Sequence, residues 1–153
     1  MKKQKGFSLI ELLIVVAIIL IIAAIAIPNL IKSKMAANES SAVGSLRTLT
    51  TAEIAFSTAC PNLGFTGTLT DFGTAGPCPG AQNEVDPALI SGTKSGYVFT
   101  LAVQGTAPYT QFTSNANPQS TSSGTRYFFV DESGVIRYNL AAAATNASNA
   151  LGQ

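Results

Sequence analysis

The sequence predicts an α+β fold in which one long N-terminal helix packs on a small antiparallel β-sheet. Three observations lead there. An apolar run from Phe7 to Ile27 contains a single charge, Glu11. No proline occurs from Asn29 to Thr58, and apolar residues recur there at helical spacing. After Cys78, β-branched and aromatic segments alternate with turn-forming Gly, Pro and Asp. At 153 residues the chain accommodates one modest folded body on a helical stalk.

The apolar run comes first. As a helix rising 1.5 Å per residue it would be about 31 Å long, the thickness of the hydrocarbon core of a bilayer. A carboxylate inside such a segment costs at least ~2.5 kcal/mol to insert and marks a function with a partner. No Lys or Arg lies between Glu11 and Lys32, so a partner of opposite charge is expected on another molecule. Lys2, Lys3 and Lys5 precede the run, which places the leader in the cytoplasm and the rest of the chain across the membrane, although Lys32 and Lys34 reduce the asymmetry. A secretory signal peptide cut after Ala24-Ile25-Ala26 would account for the lysines but leaves Glu11 without a reason.

The string Lys5-Gly6-Phe7-Ser8-Leu9-Ile10-Glu11 closely resembles the prepilin signature of type IV pilins and type II secretion pseudopilins. The resemblance covers roughly the first 30 residues. It implies cleavage between Gly6 and Phe7 by a prepilin peptidase, and N-methylation of the new Phe7 amine. The chain then divides into a leader (1–6), a transmembrane and filament-core helix (7–28) and a pilin globular domain (29–153) that includes the amphipathic half of the helix. Also implied is a structural subunit held in the inner membrane as a single-pass, N-in protein. With an inner-membrane assembly platform it polymerises with copies of itself into an extracellular type IV pilus. A periplasmic type II secretion pseudopilus and a minor pilin for adhesion or DNA uptake are the alternatives. Glu11 would pair with the Phe7 amine of a neighbouring subunit. Adhesion, motility, DNA uptake and secretion all draw on this subunit design.

Pro28 removes one helical hydrogen bond and is expected to kink the helix without ending it. Beyond it, Met35, Val43, Leu46, Leu49, Ala52 and Phe56 form a loose apolar stripe, with Lys32, Lys34, Glu39, Arg47 and Glu53 assigned to the opposite, solvated face. Asn38 to Ser41 and Gly44 have low helix propensity, so bending or fraying is expected there.

Cys60 and Cys78 are the only cysteines and there is no histidine. Ser/His and Cys/His nucleophile pairs are therefore impossible, and neither an enzyme, a cofactor nor a metal site is expected. In an exported chain the two cysteines read as a disulfide, which should contribute roughly 3 kcal/mol by closing the Gly- and Pro-rich segment between them. The leader holds three of the nine Lys and Arg, leaving six against eight Asp and Glu. With no basic run after Arg47, nucleic acid is not an expected partner.

Pro87 to Ser95 reads as a short helical turn and loop. Strands are expected at Gly96–Val103, Pro108–Thr113, Thr125–Val130 and Val135–Leu140, with Ser114–Gly124 as a loop. Asp131-Glu132-Ser133-Gly134 reads as a hairpin turn and not as a calcium loop, since no third acid is near. Three or four strands would bury one face on the amphipathic helix. The tail from Ala141 to Gln153 is expected to be mobile or loosely laid on the surface.

Processing at Gly6 and Phe7 predicts a mature N-terminus at Phe7 carrying one added methyl group, as read by intact and peptide mass spectrometry. An N-terminus at Ile27 would establish the ordinary signal peptide instead.

Overall fold

A computed structural model describes residues 7–81 and 85–152. Two compact units divide the chain, one up to Lys34 and the other from Met35 onward. The main helix, α1 (Leu9–Ala59), contains Pro28 without ending there and continues past Asn38 to Ser41 and Gly44, where propensity alone predicts fraying.

In the second unit the chain follows α1 with two short 3₁₀ turns, Leu69–Phe72 and Pro79–Ala81, and a single helical turn, α2 (Pro87–Ile90). The start of α2 follows from its sequence. Pro87 supplies a pre-set φ at a position whose N–H would be unused, and the Asp86 carboxylate accepts from the Ala88 N–H at 2.9 Å. Six strands come next: β1 (Thr93–Lys94), β2 (Tyr97–Gln104), β3 (Gln111–Pro118), β4 (Tyr127–Asp131), β5 (Arg137–Asn139) and β6 (Asn149–Ala150). They form one antiparallel meander in sequence order.

Register fixes which side chains share a face. Phe99, Ala116, Phe128 and Tyr138 stand opposite one another across β2 to β5, a row in which Ala116 leaves room for the rings beside it. Leu101, Ser114 and Val130 form the next row on the same face. This face joins Ala42, Leu46, Leu49, Ala52 and Phe56 of α1 in one buried cluster. The Tyr97 hydroxyl donates to the Arg126 carbonyl at 2.9 Å, and a side chain on Gly124 would collide with it.

Several expectations are corrected. The sheet has six strands, not three or four. β3 lies later than Pro108–Thr113: its second half, Ser114 to Pro118, reads as loop in the sequence because Ser and Asn disfavour strands. Eight residues of register with β2 override that preference. The tail supplies β6, which pairs with β5, and Ala144 within it is buried. Glu39 and Glu53 do not face solvent with Arg47, which is exposed: they are 6% and 0% exposed.

Each buried carboxylate fastens a loop to the helix. Glu39 accepts from the Thr125 N–H at 2.9 Å, the Thr125 hydroxyl at 3.1 Å, the Arg126 N–H at 3.3 Å and Arg126 Nε at 2.7 Å. Burial alone would push its carboxyl toward the neutral form. The Thr125 and Arg126 donors outweigh burial and hold the carboxyl below its usual range. Arg126 is itself placed by the faces of Phe128 and Tyr138, 5.7 and 5.8 Å from their ring centres. Glu53 has fewer donors. Its Oε2 accepts from the Thr66 N–H at 2.9 Å, while Oε1 has no hydrogen-bond partner among the described residues. Burial, with a further push from the Asp71 carboxylate, raises its pKa to about 7. The Thr66 hydroxyl in turn bonds Asp71.

Cys60 and Cys78 are joined, with Cα atoms 6.0 Å apart, and close the segment that Glu53 anchors. The same segment meets the tip of the β2–β3 hairpin. The Phe65 N–H donates to the Tyr109 carbonyl and the Tyr109 N–H to the Leu63 carbonyl, each at 2.9 Å.

The Glu53 environment gives a pH dependence with a definite sign. Its folded pKa lies above the ordinary carboxyl value of 4.5, so the stabilisation is complete below pH 4.5 and is lost as pH rises through about 7. Glu39 shifts the other way and titrates below this window. Thermal unfolding of the full chain in detergent should therefore show a midpoint that falls between pH 5 and pH 8, by an amount corresponding to about 2 kcal/mol. Glu53→Gln should flatten that dependence; an unchanged slope in this variant would assign it to another group.

Candidate assembly helix

From Leu12 to Ile27 the helix is apolar on every side. Its most apolar window has a mean hydropathy of 3.3, long and apolar enough to cross a membrane, and none of that window is buried. Phe7 is 84% exposed. A helix with no polar face has no preferred side to present to water, so its surface is suited to lipid or to other helices of the same kind.

The start of this stretch carries polar chemistry. Ser8 precedes the first helical residue, Leu9, and the Leu12 N–H closes the first turn on the Ser8 carbonyl at 3.3 Å. Glu11 reaches back so that its Oε2 accepts from the Ser8 N–H at 2.8 Å. This is the carboxylate half of a capping box, Ser8-Leu9-Ile10-Glu11, which satisfies one of the N–H groups left open at a helix start. The negative charge also faces the positive end of the helix dipole.

Glu11 thus has a polar partner at the head of its own helix, though not one of opposite charge. The sequence contains the signal, since Ser-x-x-Glu ahead of an apolar run marks a helix start, but a search for opposite charges does not find a backbone N–H. Phe7 stands immediately before the cap. Gly6, the other member of the expected cleavage site, and Lys2, Lys3 and Lys5 lie outside the described residues. Cys60 and Cys78 belong to the second unit and are joined there as expected. Among the described residues no group of three or more His, Cys, Asp or Glu could hold a metal ion.

Residues 1–27 match the family described as the prokaryotic N-terminal methylation motif. The chain carries a prokaryotic N-terminal methylation motif and is similar, over its N-terminal part, to type IV pilus components. It is 54% identical over 54 residues to the type IV major pilin protein PilA of Myxococcus xanthus, a match that covers 35% of this chain and 24% of that protein. It is 59% identical over 39 residues to the type IV wide pilus major component PilA4 of Thermus thermophilus, covering 26% of this chain and 30% of that one. The chain thus spans about a quarter to a third of the length of these curated relatives. No solved structure matches it significantly.

The capping geometry makes a local prediction. Hydrogen exchange at the Ser8 amide, followed by NMR on the full chain in micelles, should accelerate several-fold in Glu11→Ala, with about 1 kcal/mol less stability in the first turn. Glu11→Gln should retain most of the protection, since its carbonyl can still accept from Ser8. Equal exchange in all three proteins would show that the cap does not form.

Proposed function

We propose that this chain is a structural subunit of a type IV pilus, anchored in the inner membrane through residues 7–28 and polymerised through the same helix. The observation that carries the reading is the capped Glu11 at the head of an apolar helical segment in which no residue up to Ile31 is buried. It is supported by the match of residues 1–27 to the methylation motif and by relatives whose names describe major pilus components.

The mechanism follows from what the helix can exchange. In the membrane its apolar surface meets lipid. In a filament the same surface meets helices of neighbouring copies, so little hydrophobic gain separates the two states, and packing and polar contacts must set the register. Cleavage between Gly6 and Phe7 creates an amine at Phe7. The Ser8 N–H holds the Glu11 carboxylate at the mouth of the helix and leaves its second oxygen to engage the N-methylated Phe7 amine of an adjacent subunit. Pairing two charges in an apolar core selects one register more than it stabilises the assembly. The prepilin peptidase and an inner-membrane assembly platform are the partners this route requires. No catalytic role is proposed for any residue.

Glu11→Ala separates anchoring from assembly. It removes a carboxylate from the apolar segment, so membrane levels of processed subunit should hold steady. It leaves the neighbour's amine unpaired in the filament core, at a cost of several kcal/mol per subunit, so sheared filaments should fall sharply. Glu11→Gln, which keeps the cap and loses the charge, should also assemble poorly; normal filaments from it would assign Glu11 to capping alone.

A further inference from the structure

We propose that the tip of the β4–β5 hairpin of one copy docks into a cleft along α1 of the next copy, with Glu132 pairing with Arg47. This contact presupposes the filament proposed above and gives it a second polar register beyond Glu11. In the second unit, the ion pairs among the described residues are Lys94 with Asp86 and Arg126 with Glu39. Arg137 donates to the Ser148 carbonyl, and Glu53, Asp71 and Asp131 each accept from a nearby N–H or hydroxyl. One cation and one carboxylate are then left with no side-chain partner among those residues, Arg47 and Glu132. Both are exposed, and they do not meet within one copy.

Each stands in a surface suited to the other. Arg47 lines a cleft of about 450 Å³ with Ala36, Ser40 and Val43, which share its side of α1 at helical spacing, and with Leu151. Arg126 lines the same cleft, but Glu39 takes its Nε and balances its charge, so Arg47 makes the cleft positive. A side chain added at Gly44, on the cleft wall, would meet nothing, which leaves room for an incoming group. At the hairpin, Asp131 holds the turn by accepting from the Ser133 N–H at 3.0 Å, and Glu132, Ser133 and Gly134 are exposed. Val135 follows them at 39% exposure. A carboxylate beside an apolar side chain therefore matches a guanidinium beside Val43 and Leu151. Complementary charge of this kind selects partner and register more than it adds affinity. The two patches are unlike, so the contact can repeat head to tail from copy to copy without closing, as an open helical array requires.

The experiment is charge exchange in cells that assemble the full chain, read as sheared filaments and as the thermal midpoint of the subunit in detergent. Arg47→Glu and Glu132→Arg should each lower filament yield roughly fivefold, as an attractive exposed pair becomes a repulsive one. The two substitutions together should restore the yield. Midpoints should stay at the unmodified value, because neither side chain has a partner within one copy. Full filament yield in both single variants, or no recovery in the double variant, would overturn the contact. So would a shifted midpoint with normal filaments, which would place the pair inside one copy. Absence of filaments from the unmodified chain would instead overturn the pilus reading, and this contact with it.

Discussion

The segment from Phe7 to Ile31 presents apolar surface that its own fold does not cover. No described residue from Phe7 to Ile31 is buried, and the cluster that serves as the core begins only at Ala42. Everything downstream is arranged without those side chains. The second unit builds its core from one face of α1 and one face of the sheet, and fastens the rest with polar contacts and a disulfide. The unburied helix therefore remains available to whatever apolar medium the chain occupies, lipid or neighbouring helices.

Two carboxylates on α1 perform opposite electrostatic tasks within the folded unit. Glu39 is buried but so well supplied with donors that it stays charged, and it ties the chain ahead of β4 to the helix. Glu53 is buried with a single N–H donor and a like charge nearby, and it favours the neutral form up to about pH 7. Fewer donors and deeper burial together separate Glu53 from Glu39. Both lie on the helix face that a search for apolar periodicity alone assigns to solvent.

The parts of the fold legible in the sequence are those where one force dominates. The apolar run, the stripe from Leu46 to Phe56, the turn at Pro87 and the strand from Tyr97 each follow from hydrophobic patterning or backbone preference. The outer half of β3 is not legible, because it consists of Ser, Asn, Ala and Pro, whose strand conformation is imposed by β2 and β4. Nor is β6: two residues in an Ala- and Asn-rich tail carry no period, and only pairing with Arg137 and Tyr138 defines them. At the helix head the methylation signature is plain, yet the capping role of Glu11 is hidden. Its partner is a backbone N–H, which every sequence supplies and none displays.

The strands at the two sides of the sheet, β1 and β6, are only two residues long. A sheet recruits further strands through unpaired N–H and C=O groups along its outermost members, and here each offers a run too short to template another chain. The two-residue β6 restricts that route on one side, whereas on the other β1 covers only Tyr97 and Val98, and the rest of β2 has no described strand beside it.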